Sequence, residues 1–132
     1  MTQRLSSPCP CGSDRTYDAC CGRLHRGTAQ AETAEELMRS RYTAYAVGDE
    51  DHLFRTWHPR TRPDPLALDP ATTWIGLRVL DMEAGGAQDD AGVVEFEASW
   101  SRGGGSGVLR ERSRFERRAG RWVYVDGEVA EQ

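Results

Sequence analysis

The hydrophobic residues of this chain follow a helical period first and a strand period after it. A capping box at residues 33–36 precedes a run of apolar residues at helical spacing, and Gly48 ends that run. The apolar positions of the run are Leu37, Met38, Tyr42 and Tyr45. This pattern predicts one helix over the run and a second, shorter helix that begins after Gly48 and ends at Pro59.

From Thr73 onwards apolar and polar residues alternate, which is typical of β-strands. In the first of these segments the alternation predicts that Trp74 lies on the face opposite Ile75 and Leu77. Helices followed by antiparallel strands predict an α+β fold, in which the helices cover the concave face of one curved, four-stranded sheet. The predicted strands lie at about residues 73–80, 94–100, 108–117 and 121–126.

Residues 1–30, which we call the knuckle, have few large apolar side chains and cannot form a hydrophobic core by themselves. All four cysteines of the chain lie in this segment. We therefore predict two units, the knuckle at residues 1–30 and an α+β domain at residues 31–132.

The cysteine spacing allows two kinds of cross-link, a pair of disulfides or a metal site. The adjacency of Cys20 and Cys21, together with an N-terminus that lacks a secretory signal, favours the metal. Four thiolates match the tetrahedral coordination of Zn²⁺, so we predict one structural zinc ion bound by Cys9, Cys11, Cys20 and Cys21. His25, four residues after Cys21, is a competing ligand.

Length and composition limit the size of the fold, the location of the protein in the cell and its partners. With 132 residues the chain has the size of one compact domain, and it contains no run of about 18 apolar residues that could span a membrane. We expect a cytoplasmic protein, since the first ten residues do not form the apolar stretch of a signal peptide. The formal net charge of −4 makes nucleic acid an unexpected partner.

The last two predicted strands carry polar residues where a pocket would form. Alternation puts Glu111 and Ser113 on the apolar face of the third strand, in positions that suit the mouth of a cone. Tyr124 and Asp126 share a face of the last strand and are expected beside them.

The predicted helices supply the other candidates. Arg39 and Arg41 are separated by about 200° around a helix axis, so at most one of them faces the sheet. Trp57 and His58 close the second helix, where His58 either serves a pocket as a base or donor or simply caps the last carbonyls.

Two structural interpretations compete with a ligand site. Glu111 or Asp126 could pair with Arg39 or Arg41 in a buried salt-bridge network, which is the outcome the sequence favours. The arginines of the third strand lie opposite glutamates of the second, so an exposed charge ladder is favoured over a phosphate site.

Several short stretches resemble known proteins. Residues 9–13 (CPCGS) and 20–22 (CCG) resemble the SEC-C motif, a zinc module also found in the SecA translocation ATPase. LMRSRY, TWHP, WIGL, VEF, ERSRF and WVYVDG, all after residue 36, resemble the bacterial YchJ-like family. This resemblance implies a fold similar to nuclear transport factor 2 and the cystatins, with helices packed into a strongly bent sheet that forms a cone.

The sequence supports two classes of function. The first hypothesis is a zinc-binding adaptor that is not an enzyme, in which the knuckle recruits a protein partner. Analogy with SecA makes that partner a chaperone, a translocase or a ribosome-associated protein. The second is a small-ligand carrier or an enzyme that uses the cavity of the cone.

Overall fold

The structure is a computed structural model that describes residues 4–130. Three helices precede four strands, as the α+β prediction requires. The helices are α1 (Cys21–His25), α2 (Ala34–Val47) and α3 (Glu50–Arg55). The strands are β1 (Thr72–Ala84), β2 (Ala91–Arg102), β3 (Gly105–Arg118) and β4 (Arg121–Ala130). No helix among the described residues is long and apolar enough to cross a membrane.

Both predicted helices begin at side-chain caps. The hydroxyl of Thr33 accepts a hydrogen bond from the backbone N–H of Glu36 at 3.1 Å, and Gly48 ends α2 with a left-handed φ of 83°. Asp49 caps α3 by accepting from the backbone N–H of His52. The third helix ends at Arg55, earlier than predicted, because the next residues pair with β4.

The strands form one antiparallel sheet in the order β1-β2-β3-β4. Three breaks in register, at Ile75, Leu80 and Val125, insert single residues without a partner into β1 and β4. Such bulges bend the strand that carries them, and the sheet curves around α2. The predicted cone is therefore confirmed.

One bulge overturns the predicted faces of β1. Register skips Ile75, so Trp74 and Leu77 lie on the same, inward face, and Ile75 is 60% exposed. The prediction that Trp74 lies opposite Leu77 is wrong, because an inserted residue resets the alternation of side chains.

The two faces of the sheet differ in chemistry. Inward residues such as Val94 and Phe115 are buried against Leu37 and Met38 of α2. The outward face carries ion pairs between strands. There the carboxylate of Glu95 accepts hydrogen bonds from Arg110 at 2.7 Å and from Arg112 at 2.9 Å. Arg110 and Arg112 of β3 therefore belong to the predicted charge ladder.

Candidate metal centre and cavity

The knuckle folds its cysteines together by a short backbone bridge. Pro8 pairs with Thr16, and the backbone N–H of Cys9 donates to the carbonyl of Arg15 at 2.9 Å. Gly12 adopts a left-handed φ of 80°, which turns the chain back directly after Cys11. The second cysteine pair lies at the start of α1.

The four thiols have the spacing that one tetrahedral metal ion requires. Their sulfur atoms all lie within 4.8 Å of one another, and all four side chains are buried. Cys11 Sγ lies 3.6 Å from Cys20 Sγ, and Cys20 Sγ lies 4.0 Å from Cys21 Sγ. Sulfurs bound to Zn²⁺ at about 2.3 Å would be about 3.8 Å apart. All four cysteines are free in the structure, which is the state that a metal site requires.

Protons within this cluster are shared unequally. Hydrogen bonds from Cys11 and Cys21 lower the pKa of the Cys9 thiol. Hydrogen bonds to Cys11 and Cys9, followed by burial, raise the pKa of Cys21 far above its usual range. A bound divalent cation would replace the remaining protons and let all four sulfurs carry charge together.

His25 is engaged elsewhere and does not join the cluster. Its Nδ1 lies 2.7 Å from the hydroxyl of Tyr17, and its Nε2 lies 2.9 Å from the carbonyl oxygen of Ser40. Nε2 therefore attaches the knuckle to α2, and Nδ1 forms a contact within the knuckle. The four cysteines, without His25, are the group whose ligand atoms lie close enough together to hold a metal ion.

The knuckle is part of the hydrophobic core. Its buried cysteines form one apolar cluster with Tyr42 of α2 and Ala98 of β2. Nη1 of Arg39 donates to the carbonyl oxygen of Cys11 at 2.7 Å. One of the predicted pocket residues, Arg39, thus lies at the contact between the knuckle and α2.

A cavity of about 390 Å³ lies between α2 and the concave face of the sheet. Ligand cavities in proteins commonly start at about this volume. Five of the predicted pocket residues line it, namely Arg41, Trp57, Glu111, Ser113 and Tyr124. The aromatic part of the wall consists of Tyr42, Tyr45, Trp57, Trp74, Phe96, Phe115 and Tyr124.

Arg41 is a buried cation in the wall of this cavity. Its side chain is 5% exposed, and its guanidinium carbon lies 4.8 Å from the ring centre of Trp57 and 4.6 Å from that of Tyr124. Nη1 donates to the carbonyl of Leu53 and the hydroxyl of Thr56. Burial lowers the pKa of Arg41 to about 10, so the guanidinium is still charged at neutral pH.

Glu111 is the carboxylate of the same wall. Its Oε2 accepts hydrogen bonds from the hydroxyls of Ser113 at 2.5 Å and Tyr124 at 2.9 Å. A Cβ at position 127 would lie 2.3 Å from that oxygen, so Gly127 makes room for the carboxylate. Burial, and then the charge of Glu111, raise the pKa of Tyr124, which keeps its hydroxyl protonated and able to donate.

The remaining predicted pocket residues point elsewhere. Asp126 lies on the outward face, where its carboxylate accepts from Nε of Arg114 at 2.6 Å. The bulge at Val125 separates it from the face of Tyr124. His58 Nδ1 accepts from the backbone N–H of Arg60, outside the cavity wall.

The predicted salt-bridge network does not form within residues 4–130. Arg39 pairs with Glu35 on its own helix, and Asp126 pairs with Arg114. Neither Arg41 nor Glu111 has an ion-pair partner within 4.0 Å there. The cavity therefore contains one cation and one anion that are not directly neutralised.

Sequence reasoning missed most of the aromatic wall. Met38, Tyr42 and Tyr45 share the inward side of α2 with Arg41. Their spacing of three to four residues predicted a common helix face, but it did not show that this face lines a cavity. Trp74 could not be found in this way, because a bulge decides its direction.

This architecture matches known protein families. A family model described as the middle, NTF2-like domain of YchJ matches residues 33–127, and a SEC-C motif model matches residues 6–23. The chain belongs to the YchJ-like family. A UPF0225 protein of Streptomyces coelicolor is 59% identical over 121 residues, covering 92% of this chain and 94% of that protein.

Two solved structures resemble this YchJ-like chain. A SEC-C motif containing protein of Rhodopseudomonas palustris has a TM-score of 0.81 and 39% identity, with 93% of this chain and 98% of that chain covered. One from Psychrobacter arcticus has a TM-score of 0.76 and 26% identity, with 97% of this chain and 86% of that chain covered. The predicted family and the predicted SEC-C motif are confirmed.

Proposed function

We propose that this YchJ-like protein binds a small organic molecule in the cavity beneath α2. In this proposal one Zn²⁺ at the four cysteines is structural and holds the knuckle against the same helix. The proposal is supported by polar groups of the cavity wall that have no ion-pair or hydrogen-bond partner among the described residues. Among residues 4–130, Arg41 has no carboxylate partner and the buried Nε1 of Trp57 has no hydrogen-bond acceptor.

Buried polar groups of this kind are costly unless something binds them. A guanidinium that leaves water without a paired charge loses several kcal/mol of hydration, by order of magnitude, and a buried N–H without an acceptor costs about 1–3 kcal/mol. An apolar side chain would fill the same space at lower cost if the wall were only structural. A ligand that accepts from Arg41 and Trp57 supplies the missing partners.

We favour ligand binding in the cavity over recruitment of a protein partner by the knuckle. The four cysteines are buried and face α2, which suits a structural metal. Recruitment of a chaperone, translocase or ribosome-associated partner by the knuckle stays a prediction, and no contact in the structure favours it.

A library of small metabolites, screened by thermal shift and by tryptophan fluorescence, tests the proposal. Trp57 and Trp74 line the cavity, so a bound molecule should change the emission. Trp57→Phe keeps a ring but removes the unpartnered N–H, and we expect it to weaken binding at least tenfold.

Trp122→Phe is the matched control. The Nε1 of Trp122 already donates to the carbonyl of Glu32 at 3.1 Å, away from the cavity. We expect this variant to melt at a lower temperature and to bind with unchanged affinity. A library without any binder, or binders that Trp57→Phe does not affect, would contradict a ligand site at Arg41 and Trp57.

A further inference from the structure

We infer that the ligand is an uncharged, planar heterocycle that carries a hydrogen-bond acceptor beside a donor, as in the N–H and C=O of a lactam. This inference rests on the proposed function and specifies the chemical class that the cavity selects. Three properties of the wall lead to it, namely its net charge, its free donors and acceptor, and its aromatic surfaces.

The net charge of the wall is zero. Arg41 contributes one positive charge and Glu111 one negative charge, and the other titratable groups of the wall are the tyrosines at 42, 45 and 124. Burial raises the pKa of all three phenols, so they are neutral at pH 7. A charged ligand would bring an unbalanced charge next to these buried groups, which is unfavourable. The balance therefore selects a neutral molecule.

The free hydrogen-bonding groups of the wall include both donors and an acceptor. Within the described part of the chain, the Arg41 guanidinium donates from Nη1 alone, so Nε and Nη2 remain for a ligand, together with the N–H of Trp57. On Glu111, Oε2 accepts from Ser113 and Tyr124, whereas Oε1 accepts from no donor among residues 4–130. A ligand that satisfies both sets must accept at one atom and donate at another.

The shape of the wall favours a flat molecule with a substituent. Aromatic rings from α2, β1, β2, β3 and β4 surround the cavity. A second hollow of about 410 Å³ adjoins it and shares Tyr45, Trp74 and Leu109 with the first. A substituent on the heterocycle can extend between these three side chains towards Trp100 and Arg102.

Two probes of opposite charge class test the inference by isothermal titration calorimetry. Hypoxanthine is a neutral bicyclic lactam, and indole-3-acetate is an aromatic anion of comparable size. We expect the wild-type protein to bind hypoxanthine at least tenfold more tightly than indole-3-acetate. The indole N–H resonance of Trp57, assigned by its loss in Trp57→Phe, should shift with hypoxanthine and locate it in the cavity.

Glu111→Gln changes the charge of the wall while keeping its shape. The wall then has a net charge of +1, so we expect hypoxanthine to lose at least tenfold in affinity and indole-3-acetate to gain at least tenfold. Glu95→Gln is the matched control, because Glu95 faces outward and pairs with Arg110 and Arg112. That variant should leave both affinities unchanged.

The outcomes separate the ligand class from the proposed function. Tighter binding of indole-3-acetate than of hypoxanthine to the wild-type protein, or a preference that Glu111→Gln does not alter, overturns the neutral class. So does the absence of hypoxanthine binding. In each case a different metabolite from the library that needs the N–H of Trp57 would still support a ligand site in the cavity. Loss of both probes and of every library binder overturns the two proposals together.

Discussion

Low pH should lower the free energy of unfolding of this protein through one buried histidine. His52 of α3 is 2% exposed, and its ring centre lies 4.5 Å from that of His25 in the knuckle. Ser40 Oγ donates its proton to the carbonyl of Leu37, so at 2.9 Å it accepts from Nε2 of His52. The other ring nitrogen, Nδ1, is buried and has no hydrogen-bond partner in the described part of the chain, so a proton placed there would find no acceptor.

The magnitude follows from the pKa of His52. Burial, and then the charges of His25, Arg55 and Arg41, lower this pKa from 6.5 to about 3. Above about pH 6.5 the ring is neutral in both folded and unfolded chains, so it has no effect. Below that pH the ring binds a proton in the unfolded chain but stays neutral in the folded chain, so the free energy of unfolding falls. The loss is about 2 kcal/mol between pH 7 and pH 5, and about 4 kcal/mol between pH 7 and pH 3.

Urea unfolding at pH 7 and at pH 5 measures this loss. His52→Gln removes the titrating ring while its amide can still bond Ser40, so the free energy of unfolding should change with pH by about 2 kcal/mol less than in wild type. His58→Gln, whose ring lies outside this contact, should behave as wild type does. The cysteines are intact in all three proteins, so loss of metal affinity at low pH cancels. An equal pH response in wild type and His52→Gln would refute the reasoning.

Three further predictions concern the metal, the knuckle and the cavity. Elemental analysis of the purified protein should find one zinc per chain, and Cys11→Ser should reduce that ratio; metal-free protein with reduced cysteines would argue against the site. Deletion of residues 1–28 should preserve a cooperative urea transition. It should lower the free energy of unfolding by about 2 kcal/mol or more, because Tyr42 would become exposed to solvent. Loss of the transition would show that the core cannot form without the knuckle. Tyr124→Phe removes a hydroxyl that donates to Glu111 and should cost about 1–2 kcal/mol in the same assay, whereas an unchanged stability would mean that this hydrogen bond contributes nothing.

The sequence by itself determined the features that depend on local spacing. Four cysteines within thirteen positions, in a segment without a core, could only be explained by a cross-link, and their sulfurs do lie together. The cap at Thr33 and the glycine at position 48 bounded α2 because both act on the backbone within one helical turn. Glu111 and Ser113 were placed on the inward face by alternation alone, since β3 has no bulge between them and Phe115.

Only the tertiary structure decided which polar residues meet. Bulges at Ile75 and Val125 turn Trp74 inward and Asp126 outward, and bulges arise from pairing with another strand rather than from their own sequence. Arg39 and Arg41 were indistinguishable in the sequence, because helical geometry says that they diverge but not where the neighbours lie. The knuckle packs beside Arg39 and the sheet beneath Arg41, which assigns one arginine to a backbone carbonyl and the other to the cavity.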